Sequence, residues 1–165
     1  MTDTIELIKK WGADRGITIN GTHRGQWYKL ASEYGELCDN LAKGKDIKDD
    51  IGDMFVVLVM ISEIGKVDLD KAMNLATCVK WQDADVYDLV GWILLSVGAL
   101  RYKSNIDRAV DIIAALTALA KARSTTLDEC IDIAYQDIKE RKGFLTAGGV
   151  FVKEADAGCR IGGGE

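Results

Sequence analysis

Two pairs of carboxylates stand at one-turn spacing on either side of a short break. Glu33 and Glu36 lie in SEYGELCDNLAKG, and Asp50 and Asp53 lie in DDIGDMFVV. Residues three apart share a helix face, so each pair projects together. The Lys43-Gly44-Lys45 break joins the two segments closely, which predicts an antiparallel helix pair with both carboxylate pairs at similar heights. Asp53 is followed at once by the core-type run MFVVLVMI, and Glu33 and Glu36 alternate with Leu30, Tyr34, Leu37 and Leu41. Carboxylates gathered beside an apolar core repel one another and lose hydration. Hard divalent cations that take oxygen ligands, Mg²⁺ with Mn²⁺ as a substitute, relieve both costs. The competing reading is that each pair is a solvated helix face.

Cations accompany the acids. Lys29 lies one turn before Glu33. Lys139, Arg141 and Lys142 close the last helical segment, and Lys153 follows beyond Gly148-Gly149, where the chain can bend back. A polyphosphate held by metal on one side needs such groups on the other. The same residues at a helix C-terminus also serve as ordinary capping charge. Trp11 and Arg15, one turn apart, are candidates to stack on a base, as is Trp27, against the alternative of core packing.

Other chemistries are disfavoured. The four cysteines, Cys38, Cys78, Cys130 and Cys159, are scattered and the chain has one histidine, so a zinc cluster is not expected. His23 belongs to no E-x-x-H, which removes the di-iron bundle reading. A net charge of -5 argues against a nucleic-acid polymer as partner. MFVVLVMI and LVGWILLSVGAL are too short to span a bilayer and read as fully buried helix segments. The amphipathic, charged MTDTIELIKKW does not read as a signal peptide, and free thiols suit a reducing compartment, so the expected location is the cytoplasm.

The elements that position these groups are helical. With 165 residues, 48% of them apolar, and no proline, the chain predicts one all-α domain over residues 1–154 with a disordered tail over 155–165. Helices are expected at 4–15, 22–42, 47–64, 67–81, 83–102, 105–123 and 125–142, with GITING as a loop. After Gly143 an irregular tail is expected. An offset of 58 lays DMFVVLVMISEIGKVDLDKAMNLA on DIIAALTALAKARSTTLDECIDIA, so that Asp53 meets Asp111. An offset of 59 lays Glu33 and Glu36 on Trp92 and Leu95. Either the helical hairpin is duplicated, with the second copy turned apolar, or two apolar helices align by chance.

Three blocks resemble the MazG-like all-α nucleoside triphosphate pyrophosphohydrolases, especially short phage-type members. IKKWGADRGI is similar to the family's opening helix. KLASEYGELCDNLAKG with DDIGDMFVVLVMISE is similar to its E-E-x-x-E and E-x-x-D metal motifs. TLDECIDIAYQDIKERKG with GGVFVKE is similar to its closing helix and tail. The first motif glutamate is Ser32 here, and the E-x-x-D glutamate is Asp50, with Asp49 as an alternative ligand. Residues 66–123 have no counterpart in the shortest members. The resemblance implies that Glu33, Glu36, Asp50 and Asp53 bind Mg²⁺. It also implies that Glu33 or Glu36 prepares a water for attack on the α phosphorus of a nucleoside triphosphate, giving a monophosphate and pyrophosphate. A purine deoxynucleotide as substrate and a homo-oligomer, dimer or tetramer, are implied in the same way. The runner-up is a catalytically inactive nucleotide-binding or helical interaction module.

Overall fold

The computed structural model describes residues 2–81 and 83–154. Among them the chain forms α1 (Thr2–Asp14), α2 (Ile17–Asn20), α3 (His23–Ala42), α4 (Lys48–Gly65), α5 (Leu69–Ala76), α6 (Val86–Leu100), α7 (Ile106–Ala122) and α8 (Leu127–Ile138). A small antiparallel hairpin follows, β1 (Gly143–Leu145) and β2 (Phe151–Lys153). The all-α expectation holds. The segment expected to be a disordered tail, 155–165, lies outside the described residues.

Local chemistry sets the helix ends. The Thr22 side chain accepts from the Gly25 N–H at the start of α3, and Thr126 and Glu129 form a reciprocal capping box on α8. Asp85 and Asp88 do the same on α6. After Lys43, Gly44 takes a φ of 66°, the left-handed turn that ends α3 and starts the return into α4.

α4 is the central element. Ile51, Met54, Phe55, Leu58, Val59, Met60 and Ile61 are all buried, because α1, α2, α3, α7 and α8 surround it. That explains why MFVVLVMI is apolar on every side although it is helical. α8 comes closest: a methyl group on Gly52 would lie 2.1 Å from the Cys130 carbonyl oxygen, so only glycine permits this approach.

The offset of 58 reappears in the architecture. α4 begins at Lys48 and α7 at Ile106, and α5 begins at Leu69 and α8 at Leu127. Lys66 and Ser124, at the same offset, both take left-handed backbone with φ of 53° and 56°. The packing crosses over, with α4 on α8 and α7 on α5. The hairpin α6–α7 thus stands in the second half where α3–α4 stands in the first.

Several expectations need correction. GITING contains one helical turn, α2, entered through left-handed Gly16. The segment 67–81 is helical only over Leu69–Ala76, where the Thr77 hydroxyl takes the Asn74 carbonyl. α8 stops at Ile138 rather than Lys142. The segment after Gly143 is not irregular but closes as a hairpin. LVGWILLSVGAL is not fully buried: Trp92, Leu94 and Leu95 are 48%, 51% and 64% exposed, because no described element covers that face of α6.

Candidate functional site

Antiparallel packing of α3 and α4 turns two sequence stripes toward each other. On α3 the stripe is Gln26, Lys29, Glu33, Glu36 and Asn40. On α4 it is Asp50, Asp53, Val57 and Met60. Steps of three and four residues keep each stripe on one face. At the turn end, Asn40 Nδ2 donates to both oxygens of Asp50, at 3.0 Å each. At the far end the stripes open into a cavity of about 180 Å³.

Glu33, Asp53 and Lys29 line this cavity, with Arg141 and Lys153 from the C-terminal segment. Trp11, Ile17, Val56, Val57, Met60 and Phe151 supply apolar wall, and buried Gln26 supplies an amide. Glu33 is buried and ion-paired with Lys29. Asp53 takes no hydrogen-bond or ion-pair partner among the described residues. Its carboxyl is pushed up to about 7, first by burial and then by the Glu33 and Asp49 charges, with Arg141 and Lys29 opposing. Asp50 is also raised, by burial and by the Asp49 and Glu36 charges, against the Asn40 hydrogen bond. Asp49 is raised by burial and by Asp137 and Glu36, while Arg141 and Lys153 lower it.

The predicted site residues therefore divide. Glu33, Asp53, Lys29, Arg141, Lys153 and Trp11 meet at the cavity. Glu36 lies outside it, exposed in a shallow groove with Ser32, Asp39 and Asn40. Asp50 lies one turn along α4 from Asp53, held by Asn40. Lys139 and Lys142 are exposed and line no part of the cavity. Arg15 is spent on structure: its guanidinium lies 4.8 Å over Trp11, and it donates to the Arg141 and Lys139 carbonyls at 2.8 and 3.1 Å. Trp27 donates to the Val97 carbonyl at 2.8 Å and so ties α3 to α6.

Sequence reasoning misses Gln26, Phe151 and Asp137. Spacing could have found Gln26, since it lies three residues before Lys29 and seven before Glu33. No local signal points to Phe151, because its place depends on the hairpin and on an edge-on contact with Trp11 at 5.8 Å between ring centres. Asp137, in the last turn of α8, pairs with Arg141 just beyond the helix and carries negative charge toward Asp49.

A divalent cation suits the donor set in chemistry. The cluster is all oxygen, and burial with the neighbouring acidic charges raises the Asp49, Asp50 and Asp53 carboxyls, which is the field a hard cation relieves. Among the described residues no three histidine, cysteine or acidic side chains already stand as a metal-holding group. Glu33 and Asp50 would first exchange their Lys29 and Asn40 partners. The residues fit the cation in chemistry and charge, with that rearrangement.

No protein-family model matches the chain, and no solved structure matches it. A curated relative is an uncharacterized 18.2 kDa protein from the rep-hol intergenic region of Haemophilus phage HP1. It is 42% identical over 73 residues, which covers 41% of this chain and 45% of that protein. The chain thus matches less than half the length of this relative. Among the described residues no helix is long and apolar enough to cross a membrane.

Proposed function

We propose that the chain is a Mg²⁺-dependent nucleoside triphosphate pyrophosphohydrolase that cleaves between the α and β phosphates. The observation that carries this reading is one cavity that joins three chemistries: an apolar and aromatic wall with a buried amide, an acidic edge at Glu33 and Asp53, and a cationic edge at Lys29, Arg141 and Lys153. Such a cavity suits a ligand with a planar apolar part and a polyanion that brings a cation. Glu33, Glu36, Asp50 and Asp53 would hold Mg²⁺, which when bound neutralises phosphate charge and activates water.

The chain's own groups do the rest. Lys29 leaves Glu33 for a phosphate oxygen when the substrate arrives. That frees the Glu33 carboxylate to orient the attacking water and accept its proton. Arg141 and Lys153 neutralise the charge that develops on the leaving pyrophosphate. Trp11 and Phe151 offer an edge and a face to the base, and Gln26 can both donate and accept at its polar edge. A purine deoxynucleotide as the base and sugar, cytoplasmic action on nucleotide pools, and a homo-oligomeric state belong to the same proposal.

The absence of a ready-made three-group metal set among the described residues, with Ser32 where the motif has a glutamate, favours one second reading: a nucleotide-binding module without turnover. Pyrophosphate release from a panel of triphosphates with Mg²⁺ separates the two. Release from at least one, lost in Asp53→Asn, supports the hydrolase. Mg²⁺-dependent binding without release supports the module.

A further inference from the structure

We propose that α6 is the contact between two copies of this chain, packed antiparallel about a two-fold axis that passes between Leu94 and Leu95. The inner face of α6 is committed: Leu89, Ile93, Val97 and Leu100 are buried, and α3 reaches it through Trp27 on the Val97 carbonyl and Tyr34 on the Val90 carbonyl. The outer face carries Tyr87, Asp88, Gly91, Leu94, Leu95 and Gly98, and Arg101 and Tyr102 follow directly after its C-terminal end, all exposed. These recur at steps of three and four residues, the spacing of a helix–helix seam.

About its centre this seam pairs like with like at every level but one, and there it pairs an acid with a base. In an antiparallel pair centred between Leu94 and Leu95, Leu94 stands level with Leu95 of the other copy. Gly91 stands level with Gly98, Asp88 with Arg101, and Tyr87 with Tyr102. A two-fold interface requires this kind of self-complementarity. Each level also pairs suitable chemistry. Leucines meet at the centre. Two glycines meet where backbones must approach, and a methyl group at either would have no atom within 4 Å, so the space beside each is open. Opposite charges meet next, and tyrosines form the rim.

A heterologous partner does not demand a seam with mirror order, whereas a second copy of the chain does. Asp88 spends one oxygen on the Asp85 N–H and keeps the other for Arg101. Arg101 lies 4.2 Å over its own Tyr102 ring, which holds it at the helix end. No residue of the seam lines the cavity, so dimerisation and the proposed reaction are separable.

Sedimentation of the full chain over a concentration series tests this. The expected result is a reversible dimer. The Leu94→Glu, Leu95→Glu double variant should be monomeric at the same concentrations with unchanged helical circular dichroism. Arg101→Asp should weaken the dimer about tenfold, and Asp88→Arg combined with Arg101→Asp should recover it, since close charge pairs of opposite sign are restored. A wild-type chain that stays monomeric, a dimer indifferent to the leucine changes, or a charge reversal that the second reversal does not rescue would each overturn the proposal.

Discussion

The two helical hairpins of this molecule, α3–α4 and α6–α7, use one architecture for opposite ends. Asp53 on α4 and Asp111 on α7 stand at the same offset as their helices. Asp53 is left without a partner among the described residues, at a cavity, and its carboxyl is driven up to about 7. Asp111 is neutralised by Arg108 at 2.7 Å, with the Ser96 hydroxyl at 3.5 Å. The outer helices differ in the same way. α3 turns Lys29 and Glu33 into the cavity, whereas α6 presents tryptophan and leucines to solvent. Shared backbone geometry does not make a site. What distinguishes the first hairpin is charge left uncompensated.

The largest expected effect follows directly. Asp53→Asn should lower pyrophosphate release by at least about a hundredfold while the helical spectrum is kept. Asp111→Asn should leave turnover within about twofold. If both variants lose activity alike, the division between the hairpins is wrong.

The pH dependence comes next. Asp53 binds a proton more readily in the folded chain than at its ordinary value of 3.8. Stability should therefore be greatest below about pH 4 on this account, and fall as pH rises toward about 7. A shift of this size bounds the effect at about 4 kcal/mol, and solvent at the cavity mouth reduces it to about 2 kcal/mol. Melting temperatures across this range should decline in the wild type and flatten in Asp53→Asn. Adding Mg²⁺ near neutral pH should restore stability in the wild type alone.

Arg15→Ala should cost about 1.5 kcal/mol in urea unfolding, because the Lys139 and Arg141 carbonyls lose a charged donor. It should also raise KM for the triphosphate, since the segment that carries Arg141 loses its anchor. The smallest effect is expected in the second hairpin, where Arg108→Ala should cost about 0.5 kcal/mol, as exposed pairs do.

Much of the first hairpin is legible in the residue types alone. Thr22, Gly44 and the spacing of Glu33, Glu36, Asp50 and Asp53 are local signals, and local signals survive folding. What stays hidden depends on distant partners. The β1–β2 hairpin has three-residue strands, too short for alternation to show. It forms because Trp11 receives Phe151 and because the Thr22 hydroxyl donates to the Gly148 carbonyl at 3.0 Å. α8 ends early because Arg15 takes carbonyls beyond it. The exposed side of α6 is unreadable for another reason, since apolar composition states that a face needs cover and not whether this chain supplies it. Within the site, helical spacing groups four carboxylates as equals. The fold separates Glu33 and Asp53, at the cavity, from Glu36 and Asp50, toward the turn.

Thr4 donates to Asp132, Trp11 to the Ile138 carbonyl, Arg15 to the Arg141 carbonyl and Thr22 to the Gly148 carbonyl, each across 126 to 128 residues. The two segments run in step like the halves of a zipper, and the cavity lies under its closed end. Such contacts carry the largest loop-closure cost in the molecule, so the zipper closes after the central helices have packed. We expect it to open in native fluctuations before the central helices do. Amide exchange should then report the cavity wall as its own cooperative unit, opening at lower free energy than α4. A ligand that bridges Glu33, Arg141 and Lys153 would slow that opening in direct measure of its affinity, so occupancy of the site can be timed without any turnover.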